Sequence, residues 1–104
     1  MQVQINTDKN IDGNERLVSF YTSEIERELA HFDEKITRVE VHFKDENSEK
    51  ISKNDKTCVF EVRIAKKEPL VVTEQADTVE KAFSGAVGKM KRLLKSTYEK
   101  MQQY

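Results

Sequence analysis

Residues 79–101 read VEKAFSGAVGKMKRLLKSTYEKM, and the spacing within them decides the fold. Val79, Phe83, Val87, Met90, Leu94, Tyr98 and Met101 recur at steps of 4, 4, 3, 4, 4 and 3. That period lays one apolar stripe along one side of a long α-helix. Asp77 and Glu80 stand at the D-x-x-E spacing of a capping box and predict where the helix begins. A helix with one narrow stripe needs a surface to lie on, and the preceding residues supply it. Val39, Val41 and Phe43 alternate with Arg38, Glu40, His42 and Lys44, and Cys58, Phe60, Val62 and Ile64 alternate with Glu61 and Arg63. Both runs predict strands with one apolar and one wet face. Leu70 to Gln75, rich in β-branched residues, predicts a further strand after the tight connection Lys66-Lys67-Glu68-Pro69.

Towards the N-terminus, Gln2 to Asn6 alternates with Val3 and Ile5 on one side. Asp12 and Glu15 repeat the capping-box spacing, and Leu17, Val18, Tyr21, Ile25, Leu29 and Phe32 form the stripe of a first helix over roughly Asn14 to Phe32. Asp45 to Lys56 holds one aliphatic residue, Ile51, and no aromatic, and reads as a solvated, mobile hairpin loop. The order is β-α-β-β-β-α. It predicts an α+β fold in which a four-stranded sheet carries both helices on its apolar face.

The 104 residues suffice for one domain, 1–104, with one lean core, since 37% are hydrophobic and 36% charged. The single cysteine, Cys58, excludes an internal disulfide. The start of the chain alternates rather than forming a signal peptide, and the longest apolar run is Pro69 to Val72. No membrane segment is expected, and the cytoplasm is the expected compartment. Formal net charge is −1, which taken alone disfavours a nucleic-acid partner. The charge is polarised, however. Residues 77–104 hold six Lys/Arg against three Asp/Glu (+3), while residues 1–76 hold twelve against sixteen (−4).

Enzyme chemistry finds no footing. His31 falls at a helix end and His42 on a wet strand face, Cys58 shares its face with Phe60 and Val62, and the three glycines form no phosphate-cradling loop. No cofactor, metal or small-molecule substrate is expected. A sheet surface that stacks RNA bases needs outward strand aromatics, whereas Phe43 and Phe60 lie on the apolar side.

The last helix is more informative. On a wheel its stripe centres near Met90, with Lys81, Lys91, Arg92 and Lys95 opposite and Lys89 flanking them. Ser84, Gly85 and Gly88 lie on the same far face. Glycine inside a helix costs about 1 kcal/mol relative to alanine. A face without bulk admits close approach by a phosphate backbone or by another helix. Cations around it suit RNA phosphates. Lys66 and Lys67 extend that track. From periodicity alone the same pattern is also the wet face of an amphipathic helix, and the glycines equally suit packing between the two helices.

Phe32-Asp33 followed by Ile36 to Phe43 (ITRVEVHF), and Lys81 to Leu94 (KAFSGAVGKMKRLL), give the chain a resemblance over essentially its whole length. It resembles the bacterial ribosome hibernation-promoting factors and ribosome-associated inhibitors. Ala82-Phe83 and Lys89-Met90-Lys91-Arg92-Leu93-Leu94 occupy the family's small-apolar pair and its Lys-apolar-x-Arg-x-Leu core. The resemblance implies a fold similar to double-stranded RNA-binding domains. It also implies binding in the small-subunit channel where messenger and transfer RNA sit, with inhibition by occlusion and no catalysis. By position, Lys89 and Arg92 are the residues expected to contact ribosomal RNA; Lys91, Lys95 and Lys81 support them from the wheel alone. Ending after the second helix, the chain looks like a short form, a monomer or weak homodimer. It departs from the family's commonly basic character, with six acidic residues against Arg16 and Arg27 over Asn14 to Glu34, and in carrying Glu80 where an aromatic is usual. The alternative reading is a protein-interaction module that docks a partner helix on the glycine-bearing face.

Overall fold

A computed structural model describes residues 1–46 and 54–102. Its order is β1 (Gln2–Thr7), α1 (Glu15–Glu28), a 3-10 helix (Ala30–Lys35), β2 (Ile36–Asp45), β3 (Lys56–Ile64), β4 (Leu70–Ala76) and α2 (Val79–Met101). The four strands form one sheet in chain order, β1 parallel to β2 and the other pairs antiparallel. The parallel pair needs a crossover, which α1 provides. Predicted loop residues Asp45 and Lys56 are strand ends that pair across the β2–β3 ladder. The loop's interior lies largely outside the described residues.

Alternation fixes which face is buried. Val41 opposes Phe60, Phe43 opposes Cys58, and Phe60 opposes Val72, so the apolar side chains line up on one side of the sheet. Both helices cover that side, as predicted. Tyr21 of α1 lies 4.8 Å from Phe43 and 4.8 Å from Phe83 of α2, ring centre to ring centre, and Phe60 lies 6.2 Å from Phe83. These rings join sheet and both helices. Cys58 is wholly buried among them, its thiol pushed up to about 12 chiefly by that burial.

Both predicted caps are displaced. The Leu17 N–H donates to the Asn14 side chain (2.9 Å), so Asn14 caps α1, while Asp12 accepts from the Asn14 amide (3.0 Å) and orients the cap. At α2 the Lys81 N–H donates to the Thr78 hydroxyl (3.1 Å), and Asp77 sits one residue too early to cap. The first helix also ends before Phe32. Beyond Leu29 the chain tightens into the 3-10 helix, with the Phe32 N–H donating to the Leu29 carbonyl (2.9 Å). A three-residue step satisfies either helix type, so the stripe did not distinguish them. Val18, counted in that stripe, lies at its margin and is 36% exposed.

Candidate nucleic-acid interface

The two-residue link after β4 turns the chain back, so α2 returns over β4 and β3 on the apolar face of the sheet. Its buried side is Ala82, Phe83, Ala86, Val87, Met90 and Leu94. The opposite crest exposes Lys81, Ser84, Arg92 and Lys95, with Gly88 half-exposed among them. From Lys81 to Lys95 the helix rises about 21 Å. The cations therefore form a line and not a cluster.

Most of that line is already paired. Lys89 leans to the β4 side, its ammonium 2.7 Å from a Glu74 oxygen and donating to the Thr73 carbonyl (2.8 Å). Lys91 leans to the α1 side and reaches Glu28 at 3.0 Å. Lys81 pairs with Asp77 at 3.1 Å. The hydrogen bond from Lys91 is the main reason the Glu28 carboxyl is held below the usual carboxylate range. Among the described residues no carboxylate pairs with Arg92, Lys95, Lys66 or Lys67. The last two lie in the β3–β4 turn, where Lys66 takes a left-handed backbone (φ 65°) that costs a side-chain-bearing residue about 1–2 kcal/mol.

The glycines separate. Glu74 opposes Cys58 and so points to the helix-covered face. A Cβ on Gly85 would come within 2.6 Å of the Glu74 Cγ and within 2.6 Å of its Oε2. Gly85 thus makes room for that carboxylate and offers no bare surface to a ligand, which corrects its sequence reading. A Cβ on Gly88 would meet only the Arg92 guanidinium, at 3.6 Å. Nothing of α1 is near, so Gly88 marks no helix–helix packing and stays open.

Helices α1 and α2 are instead parted by a groove of about 410 Å³. Tyr21, Phe83 and Val87 reach its floor and Glu24, Glu28 and Glu80 its margins. Phe20, 55% exposed, stands at the lip with its ring edge-on to Tyr21 at 5.0 Å. Burial, with help from Glu80, pushes the Tyr21 hydroxyl up to about 12. Sequence reasoning missed Phe20; its signal is an aromatic off the α1 stripe beside one on it. The outer sheet face is a lattice of ion pairs, Arg38 with Glu40 (2.9 Å) and Arg63 with Glu61 (2.9 Å). Among the described residues no group of His, Cys, Asp and Glu is placed to hold a metal, and no helix is long and apolar enough to cross a membrane.

The fold is similar to that of the Thermus thermophilus Protein Y N-terminal domain, with a TM-score of 0.72 and 11% identity, covering 93% of this chain and 99% of that one. It is also similar to a ribosomal subunit interface protein from Coxiella burnetii, with a TM-score of 0.69 and 18% identity, covering 95% and 98%. At such identities the likeness is one of fold. No curated protein matches the sequence. The family described as Sigma 54 modulation protein / S30EA ribosomal protein matches residues 4–102, so the chain belongs to this family of ribosome-associated modulators, which is not an enzyme class.

Proposed function

We propose that the chain binds the small ribosomal subunit through ribosomal RNA phosphates along the α2 crest. There it occludes the channel for messenger and transfer RNA and restrains translation under stress. It acts in the cytoplasm as one domain and catalyses nothing. The expected likeness to double-stranded RNA-binding domains goes with this reading. The observation that supports it best is the placing of Arg92 and Lys95, exposed beside open Gly88, with no carboxylate partner among the described residues. The sequence ranked Lys89 with Arg92; the pairing moves the weight to Arg92 and Lys95.

Pairing with carboxylates is the arrangement that would deprive the crest of its charge, so its strength matters. The side chains of Lys89 and Lys91 are 45% and 44% exposed. Ion pairs so open to water are worth about 0–1 kcal/mol. A phosphate that offers charge-assisted hydrogen bonds can displace such a carboxylate, so Lys89, Lys91 and Lys81 are secondary contacts. Lys66 and Lys67 continue the track at the sheet end. Ser84 and Gly88 leave space for the backbone.

The test is sedimentation with small subunits across a salt series. Retention at low salt should fall as salt rises, since released counterions drive the binding. Arg92→Glu/Lys95→Glu should abolish most of it and flatten the log–log salt slope by about 0.7–0.9 per lost phosphate contact. Protein that stays at the top of the gradient at low salt removes the reading.

A further inference from the structure

We propose that the groove between α1 and α2 is a docking site for a short cationic peptide segment whose apolar side chains straddle Phe20. The proposal stands on the groove itself and not on the ribosome reading. More than half of the Phe20 ring is exposed, although α1 has a buried stripe one residue away in Tyr21 and Ile25. On one side of Phe20 is the hollow of about 410 Å³ over Phe83 and Val87. On its other side a second hollow, of about 450 Å³, runs over Leu17 and Val79 towards Asp12. The two share Phe20, Tyr21 and Glu80. Phe20 is therefore a ridge between two apolar seats, each large enough for one aliphatic or aromatic side chain.

Charge selects the occupant. Glu24, Glu28 and Glu80 border the first seat, against Arg27 and Lys91. Both cations are already committed: Arg27 to Glu24 at 2.8 Å and to Glu28 at 3.0 Å, and Lys91 to Glu28 at 3.0 Å. Glu80 has no ion-pair partner among the described residues, and across the two seats Asp12, Glu24, Glu28 and Glu80 outnumber Arg16, Arg27 and Lys91 by one. That excess of carboxylate favours a Lys/Arg-rich segment over a polyanion at this rim. The acidic first helix, out of place in an RNA-binding face, thus has its own use. The low α2 wall at Ser84 and Gly88 leaves the first seat open from above, so an extended chain can lie across it.

The test is fluorescence anisotropy with a labelled short peptide rich in Lys and Arg that carries two central leucines, compared with a counterpart bearing serines there. The leucine peptide should bind about tenfold tighter or more, the factor expected from burying a leucine side chain. Phe20→Ser, at an exposed position that should leave folding intact by circular dichroism, should erase that discrimination. Glu80→Lys should weaken both peptides. Equal binding of the two peptides overturns the proposal, as does discrimination that survives Phe20→Ser. So does a single-stranded RNA oligonucleotide that competes in a Phe20-dependent way, or a Phe20-dependent homodimer in sedimentation. Arg92→Glu/Lys95→Glu, which tests the ribosome reading, should leave the peptide discrimination unchanged, so the two readings fail separately.

Discussion

Gly85 and Gly88 lie three residues apart on one helix, and alanine should affect them in opposite ways. Neither has a positive φ, so alanine is sterically permitted by the backbone at both. In open surroundings the change gains about 1 kcal/mol of helix propensity. Gly88 is open, its new Cβ meeting only the Arg92 guanidinium at 3.6 Å. Gly88→Ala should thus stabilise by about 1 kcal/mol, raising Tm by about 4–8 °C in a domain of this size. At Gly85 the Cβ would sit 2.6 Å from Glu74 Cγ, 2.7 Å from Cδ and 2.6 Å from Oε2. More than the tip of Glu74 must move, and its pair with Lys89 goes with it. Overpacking of this kind costs about 1–3 kcal/mol, which cancels or exceeds the propensity gain. Gly85→Ala should therefore be neutral to destabilising, at least about 1 kcal/mol below Gly88→Ala. Thermal and urea unfolding followed by circular dichroism measure the difference. Equal stabilisation by both would refute the placing of Glu74 beneath the helix, and with it the account of Gly85. Gly88→Leu extends the test to function: it should fold, yet lower retention on small subunits by filling the space next to Arg92.

Two further expectations concern the paired cations and the end of α2. Glu28→Gln and Glu74→Gln should each free a lysine, so the variants should stay on small subunits to higher salt than the parent in gradient sedimentation. Because Glu28 titrates below its ordinary value near 4.5 when folded, its pairing stabilises the chain above that pH and is lost as pH falls through the folded value. The Tm gap between parent and Glu28→Gln at neutral pH should shrink below about pH 4.5. Tyr98→Phe keeps the ring edge-on to Phe32 but removes the hydroxyl that donates to the Phe32 carbonyl (2.6 Å). It should lower unfolding stability by about 1 kcal/mol in urea titration; an unchanged midpoint would show that water replaces the bond without loss.

The strands and their inward faces were legible because a period of two admits one assignment once a face is apolar. Val39, Val41 and Phe43 left no other register. The α2 stripe was legible for the same reason at its own period. Caps were less so: Asp12 and Asn14, and Asp77 and Thr78, are capping residues so close in sequence that composition cannot rank them. Glu74 shows the limit more sharply. Alternation in β4 sends Thr73 and Gln75 outward and so Glu74 inward, but nothing local explains a carboxylate on the apolar face. Its partners are Gly85 and Lys89, eleven and fifteen positions on, and only the antiparallel return of α2 brings them over it. The wheel likewise gathered Lys81, Lys91, Arg92 and Lys95 on one side, with Lys89 flanking them, because it had no neighbouring elements. With β4 on one flank and α1 on the other, the same side divides into two clamped lysines and an open crest.

That division bears on how an acidic chain can serve a polyanion. Net charge acts at distances where salt has already screened it, about 8 Å at physiological strength, whereas a phosphate on the crest responds to what lies within contact. The carboxylates on the crest's flanks, Glu28 and Glu74, are consumed by Lys91 and Lys89 and hold those lysines away from its centre, while Asp77 pairs with Lys81 at its start. Glu24 of α1 and Glu80 of α2 face the groove behind Phe20. The molecule is thus partitioned by α2: Arg92 and Lys95 stand on the ridge with no carboxylate partner among the described residues, and the furrow beside it holds more carboxylates than cations. A surface of this kind should grip phosphate weakly and with strong dependence on salt. It should also distinguish two ligands of opposite charge by which side of Gly88 they occupy.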